Sequence, residues 1–309
     1  MNVAELQQRL VLPVVVAPMF LVSGPDLLIA CCKAGVVGSL TAVNARSIEI
    51  LAAWLERIVR ELRETASPST PWALNIIVDK EETPRFADEL ALIDRFRPPI
   101  VITSFGQPGS VAKRVHAYGG LVFHDVATMR HVEKSIEAGV DGLILLTAGA
   151  GGHTGTANPF AFVPQVRKVF DGAILLAGGI SDGRAVRAAE VLGADFAYMG
   201  TRFSATRESM APDAYKSLLL SETMADVLTT DRISGVLATF MKGSISRVGL
   251  DPASLPELAA PRKPALPETL KAWRDIWSAG HGVGLIDDIP DVATLVARLT
   301  SEYEQARRT

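Results

Sequence analysis

The feature that most limits what this chain can become is a repeated alternation of short apolar runs with helix-forming stretches. Residues 142–147 (GLILLT) are almost wholly apolar, and such a run bounded by turn residues reads as a strand buried on both faces. Runs of the same kind occupy 12–19, 36–40, 72–78, 100–105, 121–126, 173–177 and 196–203. Helical patterns lie between them. Ser23-Gly24-Pro25-Asp26 opens the first, with proline in the first turn and an acid near the positive end, and Lys33-Ala34-Gly35 closes it. Others are predicted over 47–65, 84–96, 109–118, 129–138 and 183–192, with a Ser/Thr/Pro loop at 67–71. Pro164 is expected to open the helix before strand seven, because proline is expelled from helix interiors.

Several helices hand over to the next strand with one cadence, seen at Ala138-Gly-Val-Asp141 and Leu192-Gly-Ala-Asp195 and more loosely at Ala34-Gly-Val-Val37. Apolar strands alternating with helices make a parallel sheet covered on both faces. Eight such units in about 200 residues fit a closed (β/α)8 TIM barrel, which typically takes roughly 250. An open doubly wound sheet is the alternative, and eight units without a switch in pattern speak against it. After Phe203 the rhythm breaks. A helix is predicted over 212–223, five prolines make 252–267 irregular, and an amphipathic helix over 290–306 closes the chain. The expected division is therefore a barrel over 1–210 and a C-terminal helical and irregular extension over 211–309, packed on it.

Composition removes several classes of function. With 48% hydrophobic and 21% charged residues the chain is globular. A net charge of −3 offers no footprint for nucleic acid or an anionic membrane. The N-terminus has no signal-peptide pattern, and the apolar run over 11–22 is short and interrupted by Pro13 and Pro18. Cys31 and Cys32 are adjacent, a poor geometry for a disulfide and too few for a metal site, so they read as small apolar residues of a helix. A cytoplasmic chain is expected. The five histidines are scattered without His-x-x-x-His spacing, so no metal is expected. Gly149-Ala-Gly151 lacks the third glycine of a dinucleotide fingerprint, and neither a Gly-Lys-Ser/Thr phosphate loop nor a Gly-x-Ser-x-Gly elbow is present.

In a parallel barrel the active site lies beyond the C-terminal ends of the strands. There the sequence places Thr147-Ala-Gly-Ala-Gly-Gly-His153-Thr-Gly-Thr156, four glycines preceding or following closely on one histidine. Bare backbone suits close approach to a flat or anionic ligand, and imidazole takes up a proton near neutral pH. The same face gathers Ala17-Pro18-Met19, Asn75, His124, Asp125, Gly178-Gly179 and Gly200-Thr201. Glycines beyond strands seven and eight, backed by a helix N-terminus, are this fold's phosphate-binding arrangement. The bland alternative is that they are merely tight turns, but two such sites at the expected strands favour a phosphate.

Together, Ala17-Pro18-Met19, Gly151-Gly152-His153-Thr154-Gly155, Ala177-Gly178-Gly179-Ile180-Ser181-Asp182-Gly183, Tyr198-Met199-Gly200-Thr201-Arg202-Phe203 and Ile276-Trp277-Ser278-Ala279-Gly280 resemble the nitronate monooxygenases, or 2-nitropropane dioxygenases. The resemblance spans almost the whole chain. It implies an FMN-dependent barrel in which Gly178, Gly179, Gly200 and Thr201 hold the FMN phosphate. Ala17, Pro18, Met19 and Asn75 would lie against the isoalloxazine, with Gly151 and Gly152 also at the cofactor. His153 would be the catalytic base that removes the α-proton of a nitroalkane, its ordinary pKa of about 6.5 suiting neutral pH. The implied partners are a nitronate or nitroalkane and O2; a homo-oligomer is compatible with it.

Two departures stand out. Asp125 occupies a place near which some barrel relatives carry a lysine, and His281 follows Ser278-Ala-Gly where a glutamine is expected. Ser278 and His281 are candidate substrate contacts, His281 alternatively a surface residue. The competing readings are an NAD(P)H-dependent flavin reductase of quinones or enoyl thioesters, a flavin-free lyase or isomerase of a sugar phosphate, and a non-catalytic binding protein.

Overall fold

The computed structural model describes residues 1–64, 70–78, 83–258 and 260–308. A short helix α1 (Val3–Gln8), capped by Asn2 and Glu5, precedes the first strand. The chain then alternates as expected: β1 (Val14–Val16), α2 (Pro25–Lys33), β2 (Ser39–Thr41), α3 (Ile48–Arg63), β3 (Ala73–Ile77), α4 (Pro84–Phe96), β4 (Ile100–Ser104), α5 (Gly109–His116), β5 (Leu121–Val126), α6 (Met129–Glu137) and β6 (Gly142–Leu146). A two-residue strand β7 (Gly152–His153) interrupts the rhythm before α7 (Pro159–Arg167), β8 (Ala173–Ala177), α8 (Gly183–Leu192), β9 (Phe196–Met199) and the helical turn α9 (Thr201–Ser204).

Eight of these strands form one parallel sheet in the order β1-β9-β8-β6-β5-β4-β3-β2. The ring closes through a parallel bridge between Val15 and Val37, with Val16 N–H donating to Val37 O at 2.8 Å and Val37 N–H to Val14 O at 3.1 Å. This is a (β/α)8 TIM barrel. Side chains alternate across each strand. Ala73, Ile100, Ile102, Leu121, Phe123, Ile144, Leu175 and Phe196 fill the interior, whereas Leu74, Val101, Val122, Leu143 and Ile174 pack outward under the helices. The interior series ends, at the C-terminal rim, on Asn75, Ser104, Asp125, Leu146, Ala177 and Tyr198, which line a cavity. That change from apolar to partly polar along one inward series creates the site.

After α9 the chain adds α10 (Asp213–Ser221), a hairpin of β10 (Val227–Thr230) and β11 (Ala238–Met241), and α11 (Lys242–Arg247). It then runs without long regular elements through the proline-rich stretch to α12 (Val292–Arg307). Val292, Leu295, Val296 and Leu299 of α12 join the apolar cluster of Leu27 and Cys31 from α2 and Val186 from α8, so the last helix completes the outer ring. Both cysteines are buried on α2, and burial pushes the Cys32 thiol up to about 12.

Local departures from the sequence expectations have identifiable causes. The first strand is only three residues long, because Pro13 flanks it on one side and Pro18 lies in the loop on the other. Strand eight ends at Met199, since Gly200 turns the chain into the helical turn α9 at the rim. Pro164 sits inside α7 instead of opening it: Asn158 caps this helix, accepting from Phe160 N–H at 2.9 Å, and Pro159 takes the first position. A nine-residue helix with an efficient cap tolerates the missing donor of Pro164. Thr65, which ends one expected helix, and most of the 67–71 loop lie outside the described residues.

Candidate active site

A cavity of about 510 Å³ opens at the C-terminal rim of the barrel, within the size range of small-molecule and cofactor sites. One side is almost without side chains. Ala17 and Met19 from the end of β1, Ala177-Gly178-Gly179 from β8 and Gly200-Thr201 from β9 line it. Gly178 and Gly179 both take positive φ, +139° and +69°, a region that favours glycine. A Cβ on Gly178 would collide with Thr147 Oγ1, while one on Gly179 would meet nothing within 4 Å, so Gly179 faces open space. Gly200 precedes the first helical position, Thr201, whose Oγ1 accepts from Gly280 N–H at 2.9 Å.

The loop that carries the β1 residues is tied down by groups that sequence reasoning did not single out. Asn44 Nδ2 donates to Met19 O at 2.9 Å and Ser23 O at 2.8 Å, its Oδ1 accepts from Leu21 N–H at 2.7 Å, and Ser23 Oγ accepts from Met19 N–H at 2.9 Å. Nothing local in the sequence announces Asn44, which acts across more than twenty residues.

The opposite side is aromatic. His153 lies half-buried on β7, edge-on to Phe105 with ring centroids 5.0 Å apart and at 5.0 Å from Trp273. The glycine-rich segment around it is not free main chain. Gly152 and His153 pair antiparallel with Thr239 and Ala238 of β11, Thr154 N–H donates to Leu237 O at 3.2 Å, and Gly152 N–H donates to Ser278 Oγ at 2.7 Å. The C-terminal extension thus fixes the histidine's backbone. Among the described residues no side chain hydrogen-bonds the imidazole nitrogens, and burial among rings lowers its pKa to about 4. The ordinary value of about 6.5 is therefore corrected: removal from water penalises the imidazolium, and among the described residues no charge compensates.

The floor is a polar chain. Asn75 Nδ2 donates to Ser104 Oγ at 2.9 Å and to Ile102 O at 3.1 Å, and Ser104 Oγ donates to Asp125 Oδ2 at 2.6 Å. Asp125 Oδ1 is buried with no partner among the described residues, and burial raises the carboxyl to about 6 against the pull of the Ser104 hydroxyl. Tyr198 stands inward from β9 beside it.

Of the candidate residues, Ala17, Pro18, Met19, Asn75, Gly151, Gly152, His153, Gly178, Gly179, Gly200, Thr201 and Ser278 all line this cavity. Gly151 also meets a packing demand, since a Cβ there would lie 2.8 Å from Thr201 Oγ1 and 2.9 Å from Gly280 N. Ser278 is committed to the backbone: besides Gly152 it bonds Thr239 O at 2.5 Å, and its own carbonyl accepts from Tyr215 Oη. His281 is absent from the described lining; its ring packs on Gly149, and its N–H donates to Gly149 O at 2.9 Å. His124, grouped with the site by position along its strand, faces away from the interior. Its Nδ1 lies 2.8 Å from Thr103 Oγ1, and burial lowers it to about 4 as well. Phe105, Ser104 and Trp273 were missed. The first two could have been found by reading every strand end; Trp273, in an irregular segment, carried no local signal.

A closed parallel barrel, a bare glycine rim and a half-buried histidine across the cavity belong, with the relatives below, to the class of flavin-dependent oxidoreductases. A family model described as nitronate monooxygenase matches residues 75–302, and the chain belongs to that family. A nitronate monooxygenase of Paraburkholderia phytofirmans is 29% identical over 95% of this chain and 93% of its own length. A (3aS,4S,5R,7aS)-5-hydroxy-7a-methyl-1-oxo-octahydro-1H-indene-4-carboxyl-CoA dehydrogenase of Rhodococcus jostii is also 29% identical, over 77% of this chain but only 65% of its own. Among solved structures, a nitroalkane oxidase of Streptomyces ansochromogenes superposes with a TM-score of 0.79 at 26% identity, covering 98% of this chain and 99% of its own. FabK of Thermotoga maritima shares the fold, with a TM-score of 0.78 at 23% identity over 99% of this chain and 96% of its own. Among the described residues no helix is long and apolar enough to cross a membrane.

Proposed function

We propose that the chain is an FMN-dependent nitronate monooxygenase, oxidising nitronates and nitroalkanes with O2 to a carbonyl compound and nitrite in the cytoplasm. One observation carries this reading: His153, its backbone pinned in a sheet, lines the cavity that also holds the open glycine edge at Gly178, Gly179 and Gly200. The residues present fit the cofactor. Backbone at Gly178, Gly179 and Gly200 and the Thr201 hydroxyl would take the phosphate, and Ala17, Pro18, Met19 and Asn75 would take the ring, with no bulky side chain intruding at Gly179. When bound, FMN supplies the electron acceptor and the reaction with O2.

The protein's own part is proton chemistry and exclusion of water. Burial lowers His153 to about 4, which keeps it neutral at pH 7 with a ring nitrogen free to accept the α-proton of a nitroalkane, while making it a weaker base than an unperturbed imidazole. Phe105 and Trp273 fix the plane of its ring and keep water from competing for the proton. Ser278 acts one step removed, holding Gly152 in register. For a substrate already ionised to the nitronate, His153 has only to orient it.

The similarity to a carboxyl-CoA dehydrogenase supports a second reading, an NAD(P)H-dependent flavin reductase. Anaerobic stopped-flow mixing separates the two. The proposal expects the bound flavin to bleach with an alkyl nitronate, with nitrite and carbonyl product appearing once O2 is admitted. Rapid bleaching by NADH and none by nitronate would overturn it in favour of the reductase.

A further inference from the structure

Hydrogen bonds on the floor of the cavity run in one direction. Asn75 Nδ2 spends its hydrogens on Ile102 O at 3.1 Å and Ser104 Oγ at 2.9 Å, and because Ile102 O can only accept, the orientation of the amide is set. Ser104 in turn spends its hydroxyl hydrogen on Asp125 Oδ2 at 2.6 Å. What this chain of groups has left for a ligand is Asn75 Oδ1, which accepts, and Asp125 Oδ1, buried and without a partner among the described residues.

Asp125 is the member that can change character. Ionised, it only accepts; protonated on Oδ1, it donates there while Oδ2 still accepts from Ser104. A flat ligand laid over the floor removes water from the carboxyl, and an ionised Oδ1 facing an acceptor would then be costly. Burial already brings this group to about 6, so a proton is gained readily near neutral pH. The other titratable groups lining the cavity, among the described residues, are Tyr198 from β9, Tyr215 from α10 and His153 from β7. The neighbouring strand ends contribute Asn75, Ser104, Leu146 and Ala177, which do not titrate, and His124 beside Asp125 on β5 faces outward.

The polar edge of an oxidised isoalloxazine presents carbonyl oxygens and bare ring nitrogens that accept, against a single N–H that donates. Asn75 Oδ1 suits the N–H. The acceptors need a donor, and of the two groups left over only Asp125 can become one. Resting on the assignment of FMN to this cavity, we propose that Asp125 binds the flavin as a neutral acid: Oδ1 takes a proton from solvent as the ring settles and donates it in a hydrogen bond to an acceptor on the polar edge. FMN binding is thereby coupled to uptake of one proton, and FMN is held less tightly as pH rises.

The test measures the dissociation constant of FMN from the holoprotein, by the fluorescence of FMN released on dilution, for wild type and Asp125→Asn. The asparagine accepts from Ser104 through its oxygen and places an N–H where the proton would sit. Titration of the FMN phosphate is common to both proteins, so the ratio of their constants isolates Asp125. That ratio, wild type over variant, should rise about 10-fold between about pH 6.5 and pH 8. A ratio constant within about twofold would overturn the proposal, and so would a falling one, which would mean a carboxylate accepting from the ring. Ser104→Ala removes the donor that favours the ionised form and should move the loosening of FMN up by about one pH unit. An onset unchanged or at lower pH would overturn the proposal even if the asparagine variant failed to fold. A flat ratio in a protein that holds FMN and oxidises nitronates sinks this coupling alone. The expected rise in a flavoprotein bleached by NADH and not by nitronate sinks the oxidase reading and leaves the coupling standing. A protein that holds no FMN at any pH overturns both.

Discussion

The two sides of the cavity are built from different materials. Along β1, β8 and β9 the rim is glycine, alanine and main chain, with Gly179 open to the cavity. Across from it, Phe105, His153 and Trp273 converge from the end of β4, from β7 and from the C-terminal extension. The first side follows the chain locally, as each strand ends and turns. The second exists only because Ala238-Thr239 of β11 pairs with Gly152-His153. Bare backbone suits a ligand bound through hydrogen bonds along its length, and rings suit one whose protons must be moved away from water. Under the proposed function these become a cofactor side and a substrate side, and that division of labour can be tested side by side.

The largest effect is expected on the aromatic side. His153→Ala should retain FMN but lower kcat/KM for neutral nitroalkanes by about 100-fold or more, the usual contribution of a positioned base. Nitronates, which need no deprotonation, should lose far less; equal losses measured for both would remove the base role. On the glycine side, Gly179→Val places a branched side chain at φ +69° and in the open space facing the cavity. It should purify with most of its FMN absent, read as the ratio of flavin to protein absorbance, and full flavin content would break the assignment of that side.

Smaller effects sharpen the boundary between the sides. Asp125 on the floor has a folded-state pKa raised from 3.8 to about 6, so its ionisation opposes folding as pH rises through that window. Asp125→Asn should therefore stabilise the protein by about 2 kcal/mol at pH 8, with the gain fading as pH falls through 6 and lost only well below the unfolded value of 3.8, where the carboxyl is protonated in folded and unfolded chains alike. Thermal melts across that pH range check the sign. The smallest change concerns a second histidine, the buried His124. His124 and His153 are both pushed down to about 4, but His124 faces outward and is bonded to Thr103. Thr103→Val should cost about 1 kcal/mol of stability and leave the kinetics untouched. A loss of activity there would mean that the two histidines are not functionally separate.

Much of the barrel was legible in advance because each unit is written locally: apolar runs bounded by glycine and proline, and helix caps such as Ser47, Thr128 and Asp182 immediately before their helices. Where local signals competed, they misled. Pro164 looked like a helix start until Asn158 and Pro159 claimed that place, and His124 looked like a site residue until strand alternation turned it outward. The glycine-rich segment around His153 reads from sequence as bare main chain, since nothing beside it in the chain reveals that residues some 85 positions later close a sheet over it. Trp273 and Asn44 were invisible for the same reason: their partners are far away in sequence.

By itself the sequence determined the number and order of the βα units, the bare glycine edges at the ends of β8 and β9, and the presence of one histidine beyond β6. Those are properties of short segments, set by hydrophobic period and by backbone freedom. Only the tertiary structure decided which way each rim side chain points, that His153 is enclosed by rings and kept neutral, and that Asp125 lies on the floor with one oxygen unpaired among the described residues. Orientation and desolvation are set by the groups that gather around a side chain, and in this protein those groups come from distant parts of the chain.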